Sequence, residues 1–311
     1  MPRFRCKTCL KTFSRQTFRI DYRDRRPECN EPLLRLLVSG VGLRQAGRMV
    51  RLTVHAVQKK FRKIARHQRQ LHRNLLRRLP AGRTLLFDET ESFELRRFSR
   101  LTIPMLIDKE SLLVVDLRVA PIRRRARRGS RTERKQRRHE ARHGRRRDLG
   151  RACVRRAMGR LETLLDGRAA TLVTDQKTLY GSECRRRFGT RVSHDAYSGK
   201  APRTSFNPLF CINLTESMLR DGNGRLHSRS WLASKRARYL ALQLAAYQAY
   251  RNWVRPRTNA DSSGVTPGVA LGLLPRAMSF RDLLSWRQDW RSSSIHPLSP
   301  DAQQTVRQFA A

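Results

Sequence analysis

The stretch Arg83-Thr84-Leu85-Leu86-Phe87-Asp88-Glu89 changes the period of this chain. From Arg83 the apolar residues come in short runs of strand length: Thr84 to Phe87, then Leu101 to Ile107, then Leu112 to Val119, with Asp108-Lys109-Glu110-Ser111 as the turn between the last two. A helical pattern from Arg151 to Leu165 follows, and after it a fourth run, Ala169 to Thr174, that ends in Asp175 as the first ends in Asp88. Strand, hairpin, helix, strand predicts a mixed sheet with helices on its faces. In such a sheet the first and fourth strands can be neighbours, which would bring together Asp88 and Asp175, 87 positions apart in the chain.

Two carboxylates delivered to strand ends have a chemical use. Phosphoryl transfer on a polynucleotide needs an attacking oxygen activated and a leaving oxygen stabilised, and two Mg²⁺ ions about 3.5–4 Å apart do both. Magnesium takes hard oxygen ligands, so two aspartates and one further oxygen from a nearby helix suit it. A single aspartate after a strand is more often a turn or helix cap. Two in this order, within a strongly basic chain, shift the reading toward a metal.

The chain carries 68 Lys and Arg against 25 Asp and Glu among 311 residues, a formal net charge of +43. Such a chain repels itself unless a polyanion offsets the charge, and nucleic acid is the natural partner. No run approaches the roughly 18 apolar residues of a membrane span, and no apolar signal-peptide core is seen, so no membrane role and a cytoplasmic location are expected. Residues 123–147 hold fourteen Lys or Arg in twenty-five positions. They read as an exposed, disordered insertion that grips phosphate backbone, or as a plainly solvated arm.

Upstream, residues 1–31 carry Cys6, Cys9 and Cys29. Cys6-Lys7-Thr8-Cys9 has the knuckle spacing of a zinc site, but four ligands are needed and no second knuckle follows. The segment reads as a partial zinc ribbon with an incomplete Zn²⁺ ligand set, either shortened at its N-terminus or a relic. Residues 32–80 read as three helices. Pro32 to Val38 closes at Ser39-Gly40, Leu43 to Val50 follows, and Thr53 caps a third helix from Val54 to about Ile64 that continues as a basic helix to Arg78. Val54, Val57 and Phe61 are expected to face inward and His55, Gln58, Lys59 and Arg62 outward. This is helix-turn-helix grammar; Gln58 could read a base edge, Lys59, Lys60 and Arg62 would meet phosphate, and Arg44 on the second helix joins them as a DNA contact. A plain basic helical hairpin is the alternative.

Residues 207–253 add a resemblance. Asn207-Pro208-Leu209-Phe210-Cys211-Ile212-Asn213-Leu214-Thr215, Met218-Leu219-Arg220-Asp221, Trp231-Leu232-Ala233-Ser234-Lys235 and Tyr250-Arg251-Asn252-Trp253 resemble the C-terminal catalytic segment of bacterial insertion-sequence transposases. The group carries an integrase-like, ribonuclease H-like domain with an Asp, Asp, Asn or Glu, Lys signature. Its order fits the chain: Cys6 and Cys9 resemble its zinc ribbon, Leu36 to Lys63 its helix-turn-helix, Asp88-Glu89, Asp175 and Asn213 its three metal positions, and Lys235 its trailing lysine.

The resemblance implies a DNA transposase whose ribonuclease H-like domain spans residues 83–255, followed by a partly disordered tail over 256–311. Asp88, Asp175 and Asn213 would ligate Mg²⁺ or Mn²⁺, and Lys235 would contact terminal phosphate. The implied partners are double-stranded DNA, as inverted-repeat ends and target, and further copies of the chain in a homodimer or larger assembly at the nucleoid. Glu216, one helical turn beyond Asn213, is the rival third ligand. Leu214 where a histidine is usual, Cys211 where a proline is common and the half ribbon leave room for an inactive remnant. A non-catalytic DNA-binding regulator and a ribonuclease H-like nuclease are the alternative functions. His194 reads as a surface histidine, Trp231, Trp253, Trp286 and Trp290 as packing residues, and Cys153, Cys184 and Cys211 as small buried side chains.

Overall fold

The computed structural model describes residues 2–202, 204–227, 231–260 and 262–287; Trp290 and the last part of the expected tail lie outside the described residues. The chain divides into two compact units, one of residues 1–75 with 249 onward, the other of Leu76–Gln248.

The first unit begins with an antiparallel pair, β1 (Arg3–Arg5) and β2 (Thr12–Ser14), in register Phe4↔Phe13. Phe13 packs on both Phe4 and Phe18, with ring centroids 5.6 and 5.5 Å apart. Three helices follow, α1 (Asn30–Val38), α2 (Leu43–Met49) and α3 (Val54–Leu75); the second and third start where the sequence places them and the first two residues earlier. Gly40, at φ 83°, ends the first, and the Thr53 hydroxyl accepts from the Ala56 amide at 3.3 Å to cap the third. Gly47 permits the tight turn into α3. A Cβ there would lie 2.9 Å from the Leu52 carbonyl oxygen.

Leu33, Leu34 and Leu37 of α1 and Val57, Phe61 and Ile64 of α3 are buried. Two expectations for α3 are corrected. Val54 lies on the buried stripe but beyond its cover, and is 38% exposed. Lys60 does not face solvent as a phosphate contact; it is buried, donating to Asp24 Oδ1 at 2.6 Å, the Arg26 carbonyl at 2.7 Å and Asn30 Oδ1 at 3.0 Å. Three residues beyond Val57 it falls on the inner face, where an ammonium persists only with such partners.

The described residues of the expected tail, 256–260 and 262–287, carry helices, contrary to a simple tail. They add α9 (Pro267–Ala270) and α10 (Phe280–Ser285), the latter packing on α1 and α3. Trp253 and Trp286 are buried, against His72 and His67 respectively.

The second unit is built on a mixed sheet in the order β5-β4-β3-β7-β8. Its strands are β3 (Arg83–Phe93), β4 (Arg100–Asp108), β5 (Val114–Leu117), β7 (Ala170–Asp175) and β8 (Val192–Tyr197), with β6 (Ala120–Pro121) pairing β4. The first strand is central. It pairs antiparallel with β4 on one side and parallel with β7 on the other, and β8 continues the parallel half. Apolar residues on both faces of these strands, Leu85, Leu86 and Phe87 in β3 and Leu172 and Val173 in β7, require cover on both sides.

Helices α5 (Gly150–Leu165) and α6 (Thr178–Phe188) cover one face, where Phe87 meets Tyr180 edge-on at 5.0 Å. Helix α7 (Phe210–Asp221) covers the other, anchored by Arg220, which donates to Thr90 Oγ1 of β3. On it lies α8 (Ala237–Trp253), whose Tyr247 hydroxyl donates to the Met218 carbonyl at 2.8 Å. The basic insertion is a correction: residues 131–143 form a helix, α4 (Arg131–His143), not a disordered arm. Ser130 caps it by accepting from the Glu133 amide at 3.1 Å, and an Arg137–Glu133 pair at 2.8 Å stitches its first turn.

Candidate functional site

Parallel pairing of β3 with β7 sets the site. Phe87 is the partner of Thr174, so the next residues, Asp88 and Asp175, lie level with each other on the same face of the sheet. Alternation in a strand sends Asp88 and Thr90 toward the α7 face and Phe87 and Glu89 toward α6.

The electrostatics follow from that geometry. Burial pushes the Asp88 carboxyl up to about 6, and the neighbouring charges of Asp175 and Glu89 add to the rise. The Glu89 amide, donating to Asp88 Oδ1 at 2.6 Å, and the ammonium of Lys177 oppose it. Asp175 is held by its own loop: its Oδ1 accepts from the Lys177 amide at 3.1 Å, and Gly199 passes so close that a Cβ there would sit 3.7 Å from Asp175 Cβ. Two adjacent carboxylates, one driven toward its neutral form, are a donor set that a hard divalent cation would satisfy by restoring both charges.

Glu89 is not part of this pair. On the opposite face it accepts from Thr102 Oγ1 at 2.8 Å, from the Tyr180 hydroxyl at 2.6 Å and from the Lys177 ammonium. Burial and the Glu89 carboxylate keep the Tyr180 phenol protonated. Lys177 and Tyr180 escaped the sequence reading; the signal was the Asp-x-Lys spacing just past the fourth strand.

The third position lies on α7. Asn213 and Glu216 are one turn apart on the side of α7 nearer the sheet, Asn213 half-buried and Glu216 buried. Glu216 is drawn to Arg220, at 3.7 Å. Among the described residues no three His, Cys, Asp or Glu side chains gather as a metal group. Asn213 carries instead an amide oxygen, a neutral donor.

Lys235 is placed elsewhere. Its neighbour Ser234 accepts from the Leu95 amide at 2.9 Å, beyond the far end of β3. Six to seven residues of extended strand separate that level from Asp88, roughly 20 Å. His194 also stays apart from the aspartates: it sits opposite Leu172 on β8, with Nε2 2.9 Å from Thr174 Oγ1 on the α6 side.

The expected DNA-contacting residues of the first unit are displayed as foreseen on α2 and α3. Arg44, His55, Gln58 and Lys59 are exposed, and Arg62 is half-buried with its Nε donating to the Gln58 carbonyl at 3.2 Å. Cys6 and Cys9 sit in the turn between β1 and β2, and the amides of Cys9 and Thr8, pointing at the Cys6 sulfur, lower its pKa. Cys29 is buried instead, its thiol 3.8 Å from the Val50 carbonyl. Cys153 and Cys184 are buried and Cys211 half-buried, while Trp231 is 97% exposed.

The chain matches no protein-family model and no curated protein.

Proposed function

We propose that this chain is a DNA transposase of the insertion-sequence type, cleaving and joining phosphodiester bonds with Mg²⁺ or Mn²⁺ held by Asp88 and Asp175. The observation that carries the reading is the placement of these two carboxylates side by side, Asp88 in the middle of β3 and Asp175 at the end of the neighbouring parallel strand β7, with the pKa of Asp88 raised. Support for a ribonuclease H-like form of the sheet comes from its order, with the first strand central between an antiparallel hairpin and two parallel strands.

In this reading the metal ions, when bound, activate the attacking oxygen and stabilise the leaving one. Asp88 and Asp175 supply the charged ligands, and Asn213 on α7 the third oxygen. Lys177 stays tied to Glu89 and so adds positive charge near the site without occupying it. The helices α1 to α3 act as a helix-turn-helix, with His55 and Gln58 in the major groove of the inverted-repeat ends and Arg44, Lys59 and Arg62 on phosphate. Assembly of two or more copies on DNA and residence at the nucleoid complete the proposal; Cys6 and Cys9 are two ligands of the four a zinc site needs, with Cys29 buried against Val50. Among the described residues no helix is long and apolar enough to cross a membrane.

The test is a nicking assay on duplex DNA bearing the element's ends, with Mg²⁺, Mn²⁺ or chelator. The expected result is metal-dependent nicking, lost in Asp88→Ala and Asp175→Ala; equal nicking by both variants would falsify the reading. The absence of a third carboxylate beside the aspartates among the described residues favours one second reading, a DNA-binding regulator without catalysis. Tight duplex binding with no metal-dependent step would establish it.

A further inference from the structure

The turn joining β3 to β4 faces the basic helix α4 across a cavity of about 470 Å³. Arg96, Arg97 and Phe98 line one side, Lys135, Arg138 and Arg142 the other, and no carboxylate is among its described lining residues. A second cavity, about 520 Å³, shares Arg97, Phe98 and Thr132 with the first and continues to Arg124, Arg125 and Arg127. Arg97, Phe98 and Thr132 thus lie between two adjoining cavities, which together form the cleft.

Charge is distributed unevenly around it. Within the same insertion Arg123, Arg137 and Arg146 are each matched to a glutamate, Glu140, Glu133 and Glu94 respectively. Among the described residues Arg97, Lys135, Arg138 and Arg142 have no acidic partner, and all four line the cleft. The first cavity is thus left cationic, while Arg124 and Arg100 of the second share Glu91. An anion is the missing counterpart.

Phe98 narrows the choice. Phe98 is half-buried, with the Arg96 guanidinium 5.9 Å above its ring and His139 packed at 5.5 Å. A duplex offers an outer surface of phosphates, for which cations suffice. An aromatic ring between phosphate-binding cations is of use to an unstacked base, and cavities of roughly 300–1,000 Å³ take ligands of nucleotide size.

We propose that the cleft between the Glu94–Ser99 turn and α4 is a binding site for single-stranded DNA, in which Arg97, Arg138 and Arg142 hold consecutive phosphates and Phe98 stacks on a base. The site rests on the polynucleotide reading above and adds to it a second contact, roughly 20 Å along β3 from Asp88. Lys235, beside Leu95, belongs to this end of the domain. A DNA end cleaved at the aspartates would have an unpaired stretch held here.

The experiment measures binding of the full chain to fluorescein-labelled oligothymidine, to the same length of duplex and to oligouridine, by anisotropy across a salt series. Replacing Arg97, Arg138 and Arg142 together by Gln is expected to lower the slope of log affinity against log salt by about 2, at about 0.7 per phosphate contact on a single strand. A charge-matched control replaces Arg128, Arg131 and Arg134, exposed and outside the cleft, and is expected to leave single-strand binding nearly unchanged. Phe98→Ala is expected to weaken oligothymidine binding about 5- to 150-fold with little effect on duplex, and Phe98→Tyr to retain it.

Equal losses in the two triple variants would overturn the site as a mere polycation effect. So would equal effects of Phe98→Ala on single strand and duplex, or a marked preference for oligouridine. In each of these cases duplex binding by the unaltered chain keeps the transposase reading alive. No binding of the unaltered chain to any oligonucleotide would sink both.

Discussion

Asp88 and Asp175 adjoin because Phe87 and Thr174 are partners in a parallel strand pair, each aspartate being the next residue along. The like charges and the burial that follow raise the Asp88 pKa to about 6. An unfolded aspartate titrates near 3.9. The folded state therefore holds the Asp88 proton more tightly, and its contribution is full below about pH 4 and lost as pH rises through about 6. Asp88→Asn should raise the thermal midpoint of the metal-free chain above pH 6, by a few degrees at roughly 2–4 °C per kcal/mol, and do nothing below pH 4. Millimolar Mn²⁺ should stabilise the unaltered chain above pH 6 and not the variant. Differential scanning fluorimetry across pH checks both.

Lys177 is a positioning residue, paired with Glu89 and lowering the pKa of Asp88. Removing its charge in Lys177→Met should raise the Asp88 pKa further. The acid limb of metal-dependent nicking should then move to higher pH, and half-saturation should need several-fold more metal. A pH profile identical to that of the unaltered chain would show that Lys177 does not act through Asp88.

Lys59 and Lys60 are neighbours with opposite roles. Lys60 is buried among Asp24, Asn30 and the Arg26 carbonyl, so Lys60→Ala leaves Asp24 without its cation and should destabilise the first unit by about 3–5 kcal/mol. Lys59 is exposed. Lys59→Ala should leave denaturant unfolding unchanged and reduce the salt slope of duplex binding by about 1.

The position of Lys235 separates two accounts of it. Beside Leu95 it is too far from Asp88 to touch the scissile phosphate, so Lys235→Ala should weaken DNA binding while preserving nicking at saturating DNA. Abolished nicking with unchanged affinity would contradict this.

The helices and strands were legible because local patterns determine them. Thr53 announces a helix by offering an oxygen to Ala56, and Leu85 to Phe87 announce a buried strand by composition alone. The insertion was misread as disordered because composition counts its arginines and cannot see that Glu133 and Glu140 return on one face of a helix, or that Ser130 caps it. Lys60 was misread for a related reason: its partner Asp24 lies 36 residues upstream.

The sequence alone determined that this is a highly basic α/β chain with two aspartates following apolar strand runs, since charge and apolar periodicity are properties of the chain itself; that β3 continues past Asp88 to Phe93 was not legible in it. Tertiary structure decided which residues share a space. Strand pairing brings Asp175 to Asp88, Glu216 of α7 turns to Arg220, and the length of β3 carries Lys235 away. Those outcomes depend on register and packing between segments tens of residues apart, and no local pattern encodes a distance.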